Sequence, residues 1–525
     1  MRVTGECFEA VAIRGDGIVA VGPGESILDL TGTGTRVIDL QGATVLPGFI
    51  DPHVHITDDV YFDTDLRMPS SKQELLRAVK AKAAAQPPDS WLICYAPTTD
   101  KQVWPNRREF DAVSEGHPGV VLLSPNDFLL NTRAQAEMLP DAKNRFPGKL
   151  ELAEDSQGPT GMIRTSGVAG PWPVLPNAPV GSKNDLRRSI LRGMGELAMS
   201  GITTVHPIVT SGFAIEVFQD LLSEGILPTR AGLLLRAHES AIDLDDIIRL
   251  GIRQGFGGDW LKLQGVKVSV DGYFAEGSAA FTEGYEDEPD NCGILRIAPE
   301  ELDGFILRAH RAGLRCAVHA NGDRAVGLSI DAYERALQAS PRADHRHRIE
   351  HIGNLYLTDV HAARMRQLGI VAVPNPPFLH EYARFMDKRL GSVRGHRPVA
   401  IRTLLEAGVR VVTASDFAGL HPPDPLLGIS ALVTRSNIHG EIYAPQEGVD
   451  ADTALQLCTS EAAWLGFEEA QKGSIEPGKL ADFAILSDDP VTIDPDQIAK
   501  CAVLATVVGG RVVFARDEFK ETIGV

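Results

Sequence analysis

The alternation of apolar and polar positions divides the chain into three stretches. Residues 1–47 read as short strands broken by glycine turns. Residues 11–14, the turn Gly15-Asp16-Gly17 and residues 18–21 give a hairpin pattern, and 37–40, Gln41-Gly42 and 43–46 repeat it. The far end behaves alike, with a strand at 483–486 and a hairpin formed by 503–508, Gly509-Gly510 and 511–514. The two β-rich ends are expected to pair into one small domain, 1–47 with 471–525. Two separate terminal hairpins are the alternative.

Between the ends the pattern changes period. Residues 71–85 carry Leu75, Leu76 and Val79 on one helical face, with Ser71 placed to cap the helix. Residues 91–95 and 120–123 read as strands, and proline and glycine crowd 147–179. The region from about 60 to 180 is expected to be an insertion that walls one side of a pocket. From about 185 helical and strand patterns alternate: helix 186–199, strand 201–206, helix 215–224, strand 231–235, and onward to about 465. That rhythm predicts a parallel α/β sheet or barrel over 48–470.

Several strands close on reactive side chains. The run Gly48-Phe49-Ile50-Asp51-Pro52-His53-Val54-His55 puts both histidines on one strand face, about 6–7 Å apart, where they can converge on one metal. In Val266-Lys267-Val268-Ser269-Val270-Asp271, the valines take one face and Lys267 the other. Inside a barrel an unpaired Lys267 ammonium is costly. Either a carboxylate partner or covalent carboxylation by CO2 must neutralise it. Strands 315–319, 347–351 and 411–416 end on His319, His351 and Asp416, and 201–206 on His206. Catalytic groups of α/β barrels sit at the C-terminal ends of the strands.

The order HxH, Lys, His, His, Asp resembles the amidohydrolase superfamily of metal-dependent hydrolases, over nearly the whole chain. Pro47-Gly48-Phe49-Ile50-Asp51-Pro52-His53-Val54-His55 matches its first-strand signature. Val266–Gly272, Val318-His319-Ala320-Asn321-Gly322-Asp323-Arg324-Ala325 and the tail Gly473–Phe483 look like the YtcJ-like, N-substituted formamide deformylase-like branch. The resemblance implies a (β/α)8 TIM barrel with a β-sandwich built from both termini and an insertion after the first barrel strand. It implies His53 and His55 on one metal, carboxylated Lys267 bridging to a second held by His319 and His351, and Asp416 beside the nucleophilic water. The branch pattern departs at Pro125-Asn126-Asp127 and at Phe417, both expected on the substrate side, so a substrate cannot be carried over.

The residue chemistry fits such a site. One or two divalent cations polarise a carbonyl and lower the pKa of water to about 7. Imidazole and carboxylate donors suit zinc, and also manganese or iron. Asp416 is the expected base and acid, with metal contact as well. His206 is expected to orient substrate or an oxyanion, with a core role as its alternative. Asp271 is expected near substrate or anchoring a loop, and Asp323 behind His319. His380, His396, His421 and His439 are read as solvated. The expected activity is hydrolysis of an amide or N-formyl C–N bond in a small organic substrate. Ester or lactone hydrolysis, decarboxylation, or a metal-free scaffold are the alternatives, and the filled ligand set argues against the last.

Composition narrows the partners. A net charge of −19 over 525 residues argues against nucleic acid and anionic membranes. No apolar run reaches the ~20 residues of a membrane span, and Met1–Glu6 has no hydrophobic signal region. The six cysteines lack CxxC spacing, so neither a disulfide framework nor a thiolate zinc site is indicated. A cytoplasmic homo-oligomer, a dimer, acting on a small molecule is the expectation.

Overall fold

The computed structural model describes the chain apart from residues 1, 4–5, 58–70, 88, 97–102, 124–126, 138–149, 156–157, 166–182, 241, 418–422 and 525. Its centre is a parallel sheet of seven strands in sequential order: β1 (Phe49–Val54), β2 (Ile202–Val209), β3 (Arg230–Arg236), β4 (Leu261–Ser269), β5 (Cys316–His319), β6 (Arg348–Glu350) and β7 (Val371–Val373). An eighth segment closes the ring. Ala372 and Ala414 donate to the Arg410 and Pro374 carbonyls, while Asp416 N–H reaches His53 O at 3.1 Å and His55 N–H reaches Phe417 O at 2.7 Å. Residues 410–417 thus join β7 to β1. The result is a TIM-like barrel with one chain segment between every pair of neighbours.

Both faces of these strands are covered, so polar and apolar positions alike are buried along them. Val266, Val268 and Val270 pack outward in the main core with Leu302, Phe305 and Ile306 of the helix Pro299–Arg311. Each such fully buried side chain contributes about 1.5–3 kcal/mol. On the inner face Ile208, Leu234 and Ala317 form a small apolar layer. Gly265 permits the bulge in β4: its φ is +143°, and a Cβ there would lie 2.4 Å from the Arg315 carbonyl oxygen. That bulge restores Lys267 to the inner face.

The floor of the barrel is corked by the chain that follows it. Helix Ser460–Leu465 packs Ala462, Ala463 and Leu465 against Ile50, Val371 and Val412. Behind it Glu468 holds Lys262 at 2.8 Å and Lys472 at 2.9 Å, and Lys472 also reaches Thr204 Oγ1 at 3.2 Å. Glu468 and Lys472 are 2% and 3% exposed, so the pair is removed from water.

The two chain ends do pair. Thr44–Pro47 runs antiparallel to Phe483–Leu486, which continues into Val503–Val508 and Arg511–Ala515 as a four-stranded sheet. The hairpin Ala10–Arg14/Gly17–Gly22 shares a hydrophobic cluster with it through Ile18 and Val21. The second expected N-terminal hairpin does not form: 37–40 is not a strand, because 44–47 finds its partner across the chain instead. In the insertion, helix Lys72–Ala85 is capped by Ser71 as its sequence suggests. A five-stranded sheet there encloses its own core of Leu75, Val79, Phe110 and Val121. Among the described residues no helix is long and apolar enough to cross a membrane.

Candidate metal centre at the barrel mouth

The C-terminal ends of β1 and β6 and of the segment 410–417 bring three predicted residues to one point. A ligand atom each from His53, His351 and Asp416 lies within 4.8 Å of the others. His55 joins them. Its Nε2 is 3.1 Å from His53 Nε2 and 3.3 Å from Asp416 Oδ1, and His53 Nε2 is 3.2 Å from the same oxygen. The His319 ring lies 4.5 Å from that of His351, edge to face. His351 and Asp416 have φ of +70° and +58°, the left-handed region that non-glycine residues rarely enter.

Each group is fixed from behind. His351 Nδ1 meets Asn375 Oδ1 at 2.8 Å, and Asn375 is held by Asn354 and the Ala414 carbonyl. Asp51, beneath His53, accepts N–H bonds from His53 and Ser415 at 3.2 Å each, as well as the Ser415 hydroxyl. Burial raises its pKa to about 6. His319 Nε2 lies 3.0 Å from Asn321 Nδ2, 3.4 Å from Gly272 O and 3.6 Å from Asp271 Oδ1.

Protonation states suit a cation. Burial lowers the pKa of His351 to about 4 and takes His53 and His319 well below the ordinary histidine range, so all three imidazoles are neutral at pH 7. Burial pushes Asp416 upward, but His351, His55 and Lys267 outweigh it and hold the carboxyl below its ordinary value. Neutral imidazoles and an ionised carboxylate are the forms that bind divalent metals. Lys267 points inward as its alternation predicts, and its amine meets Glu350. The Lys267 amine and His53 Nδ1 both face one oxygen, Glu350 Oε2, so of the two ways of neutralising Lys267 it is the carboxylate partner that the structure contains. The imidazole nitrogens of His53 and His351 and the Asp416 carboxylate, gathered within 4.8 Å, are a donor set that fits an added cation.

Other expected residues lie elsewhere. His206 does not end its strand: β2 continues to Val209, and Ile208, facing inward two residues later, stands between His206 and the mouth. Its fully buried ring nitrogens have no partner among the described residues. Pro207 does not end the strand, because the β1–β2 ladder shifts register between Val205 and Pro207 and so accommodates a residue without N–H. Asp271 is fully buried and accepts backbone N–H bonds from Ala280, Asn321 and Gly322, which makes it a loop anchor. Its pKa is raised to about 7 by burial. Asp323 accepts from Thr282 N–H rather than backing His319. Phe417 is buried at the β1 junction, and Asn126 lies outside the described residues. His396 and His439 are exposed and His380 is half-buried; His421 also lies outside the described residues. Sequence reasoning missed Glu350, Arg348, Asp51 and Asn375. For the first two a signal existed, since alternation in Arg348-Ile349-Glu350 puts both on the inner face.

Comparison with known proteins bears on the family and the fold. The model of a family described as "Amidohydrolase family" matches residues 36–514. The chain is 30% identical over 532 residues to Protein LONG AFTER FAR-RED 3 of Arabidopsis thaliana, covering 96% of this chain and 88% of that one. It is 26% identical over 538 residues to putative amidohydrolase YtcJ of Bacillus subtilis, with 98% of each covered. N-substituted formamide deformylase of Arthrobacter pascens is 26% identical over 531 residues, with 97% and 95% covered. A crystal structure of an uncharacterized metal-dependent hydrolase from Pyrococcus furiosus superposes with a TM-score of 0.72 at 25% identity, over 92% of this chain and 95% of that one.

Proposed function

The chain belongs to the amidohydrolase family, in its YtcJ-like branch, and from that premise we propose that it hydrolyses an amide or N-formyl C–N bond of a small organic substrate. The observation that carries the reading is the approach of His53, His55, His351 and Asp416 to one another at the barrel mouth. The similarity to N-substituted formamide deformylase supports C–N as the bond type.

In this reading His53 and His55 hold one divalent cation, and His319 and His351 hold a second, with Lys267 and Asp416 contributing to the same centre. Zinc suits the donors, as do manganese and iron. A cation bound there would supply Lewis-acid polarisation of the scissile carbonyl and would acidify an attacking water. Asp416, held ionised, accepts the proton that the water loses on attack. It then delivers that proton to the departing nitrogen, so the amine leaves neutral. Asn375, by fixing His351, and Asp51, by tying β1 to Ser415, keep the reacting geometry without touching substrate. Lys267 carries CO2 as a carbamate in this proposal. Burial and then the Arg348 charge take its ammonium well below the ordinary range, which favours the free amine that adds CO2. Residues 1–47 and 471–525 act as one supporting unit, a β-sandwich, to the barrel of 48–470.

The test is elemental analysis of the purified protein followed by a panel of N-formyl, N-acyl and cyclic amides with ester and lactone controls. Bound divalent metal and amide turnover that exceeds ester turnover are expected. Turnover of esters alone would replace this reading with an esterase.

A further inference from the structure

Arg348 is fully buried on β6, facing the barrel interior. Its Nη2 donates to two acceptors: the carbonyl of Pro52 at 2.9 Å and Glu350 Oε1 at 2.7 Å. Pro52 immediately precedes His53, and Glu350 immediately precedes His351. One guanidinium therefore ties together the strand ends that present two of the proposed ligand histidines, from opposite parts of the chain. The second oxygen of Glu350, Oε2, lies 3.2 Å from His53 Nδ1, outside hydrogen-bond geometry, and also against the Lys267 amine. Glu350 is itself fully buried, so no water competes for either oxygen.

This arrangement has a chemical direction. Of the two His53 nitrogens, Nε2 faces His55 and Asp416, and Nδ1 faces a carboxylate. The contact is electrostatic rather than a hydrogen bond, but a carboxylate 3.2 Å from Nδ1 still favours the proton on that nitrogen, which leaves the lone pair on Nε2. The Pro52 carbonyl and Arg348 fix where that carboxylate stands. We propose that Arg348 and Glu350 are a positioning pair that sets the His53 tautomer, leaves Nε2 as the metal-binding atom and holds β1 and β6 at the spacing the centre needs. This deepens the proposed function and rests on its reading of His53 as a ligand.

The experiment is zinc binding to metal-free protein, measured by competition with a chromophoric chelator, for wild type, Glu350→Gln and Glu350→Asp. Thermal melting without metal is recorded beside it. Glu350→Gln keeps the shape but removes the charge, and zinc affinity should fall ~10–100-fold, the usual effect of losing such a partner. Glu350→Asp restores the charge but withdraws it from His53, so it should recover melting temperature more than affinity. A folded Gln or Asp variant that binds zinc as wild type does would overturn the proposal. If Glu350→Gln does not fold, the Asp variant decides alone, weak binding supporting the proposal and wild-type binding ending it. Wild-type protein that takes up no zinc would instead remove the ligand reading of His53, and the proposal with it.

Discussion

At the residue scale the centre depends on two side chains in an unfavourable backbone state. His351 and Asp416 adopt positive φ, a conformation that persists only where surroundings over-determine it, at about 1–3 kcal/mol each. Here Val373 O, His53 O and Asn375 hold the turns in place. Asp416→Asn keeps this shape and an oxygen but accepts no proton. Its turnover should fall roughly 10²–10⁴-fold while metal content, read by native mass spectrometry, stays high. Near wild-type turnover in a metal-replete sample would end the general-base assignment. Replacing both His53 and His55 by alanine should remove at least one metal equivalent and abolish turnover, with the barrel's circular dichroism unchanged. Unaltered metal content would sink the ligand assignment. For Lys267 the expected sign of carboxylation is an added mass of CO2 in metal-loaded protein; a bare amine in fully active enzyme excludes it. Most of these residues were legible in the chain as strand-end side chains, and the resemblance to the amidohydrolase superfamily, carried by their order, gave them their expected roles. Glu350 and Arg348 were not seen, since only the last residue of that run, His351, drew notice. Asn375 follows a strand of three residues, too short for any periodicity to mark.

At the scale of elements, alternation revealed which face a side chain takes but not how far a strand runs. His206 shows the limit: it takes the inner face, yet lies below the apolar layer of Ile208, Leu234 and Ala317 rather than at the mouth. The corking segment was equally hidden, because an amphipathic helix at 460–465 does not say what it covers. Its ion network gives the next prediction. Burial pushes Glu468 upward, but Lys472 and Lys262 outweigh it and lower its pKa. A carboxyl with a lowered folded pKa adds stability above its unfolded value of about 4.3, and that share is lost as pH falls through the folded value. Glu468→Gln leaves the buried Lys472 ammonium and the half-buried Lys262 ammonium without their carboxylate. It should lose about 3–5 kcal/mol in denaturant titrations at neutral pH, with kcat of the folded fraction unaltered. A loss under 1 kcal/mol would mean that water reaches the floor.

At the scale of the whole molecule, barrel and terminal sheet are one structure. Arg230, at the start of β3, holds Asp482 through two bonds of 2.8 and 3.0 Å, and Gly509 N–H reaches the same carboxylate at 2.7 Å. A chain ending at residue 470 would lack Lys472 of the floor, Asp482 and the partner of 44–47. It should be recovered as aggregate rather than as an active barrel, with size-exclusion chromatography as the readout. A monodisperse, metal-binding fragment would contradict that.

Pro47 pairs with Phe483, so nearly the whole chain separates a strand from its neighbour. At ~5–20 residues per second, a ribosome needs on the order of 20–90 s to make what lies between them. During that time the 44–47 edge is unpaired, and His53 and His55 emerge well before His351 and Asp416 exist. Two neighbouring imidazoles on a nascent strand can trap a metal ion without the partners that define the site. With the proposed ligand set, metal delivery is expected at the end of translation, and cells that make this protein quickly in metal-rich medium should accumulate mis-metallated chains that slower synthesis avoids.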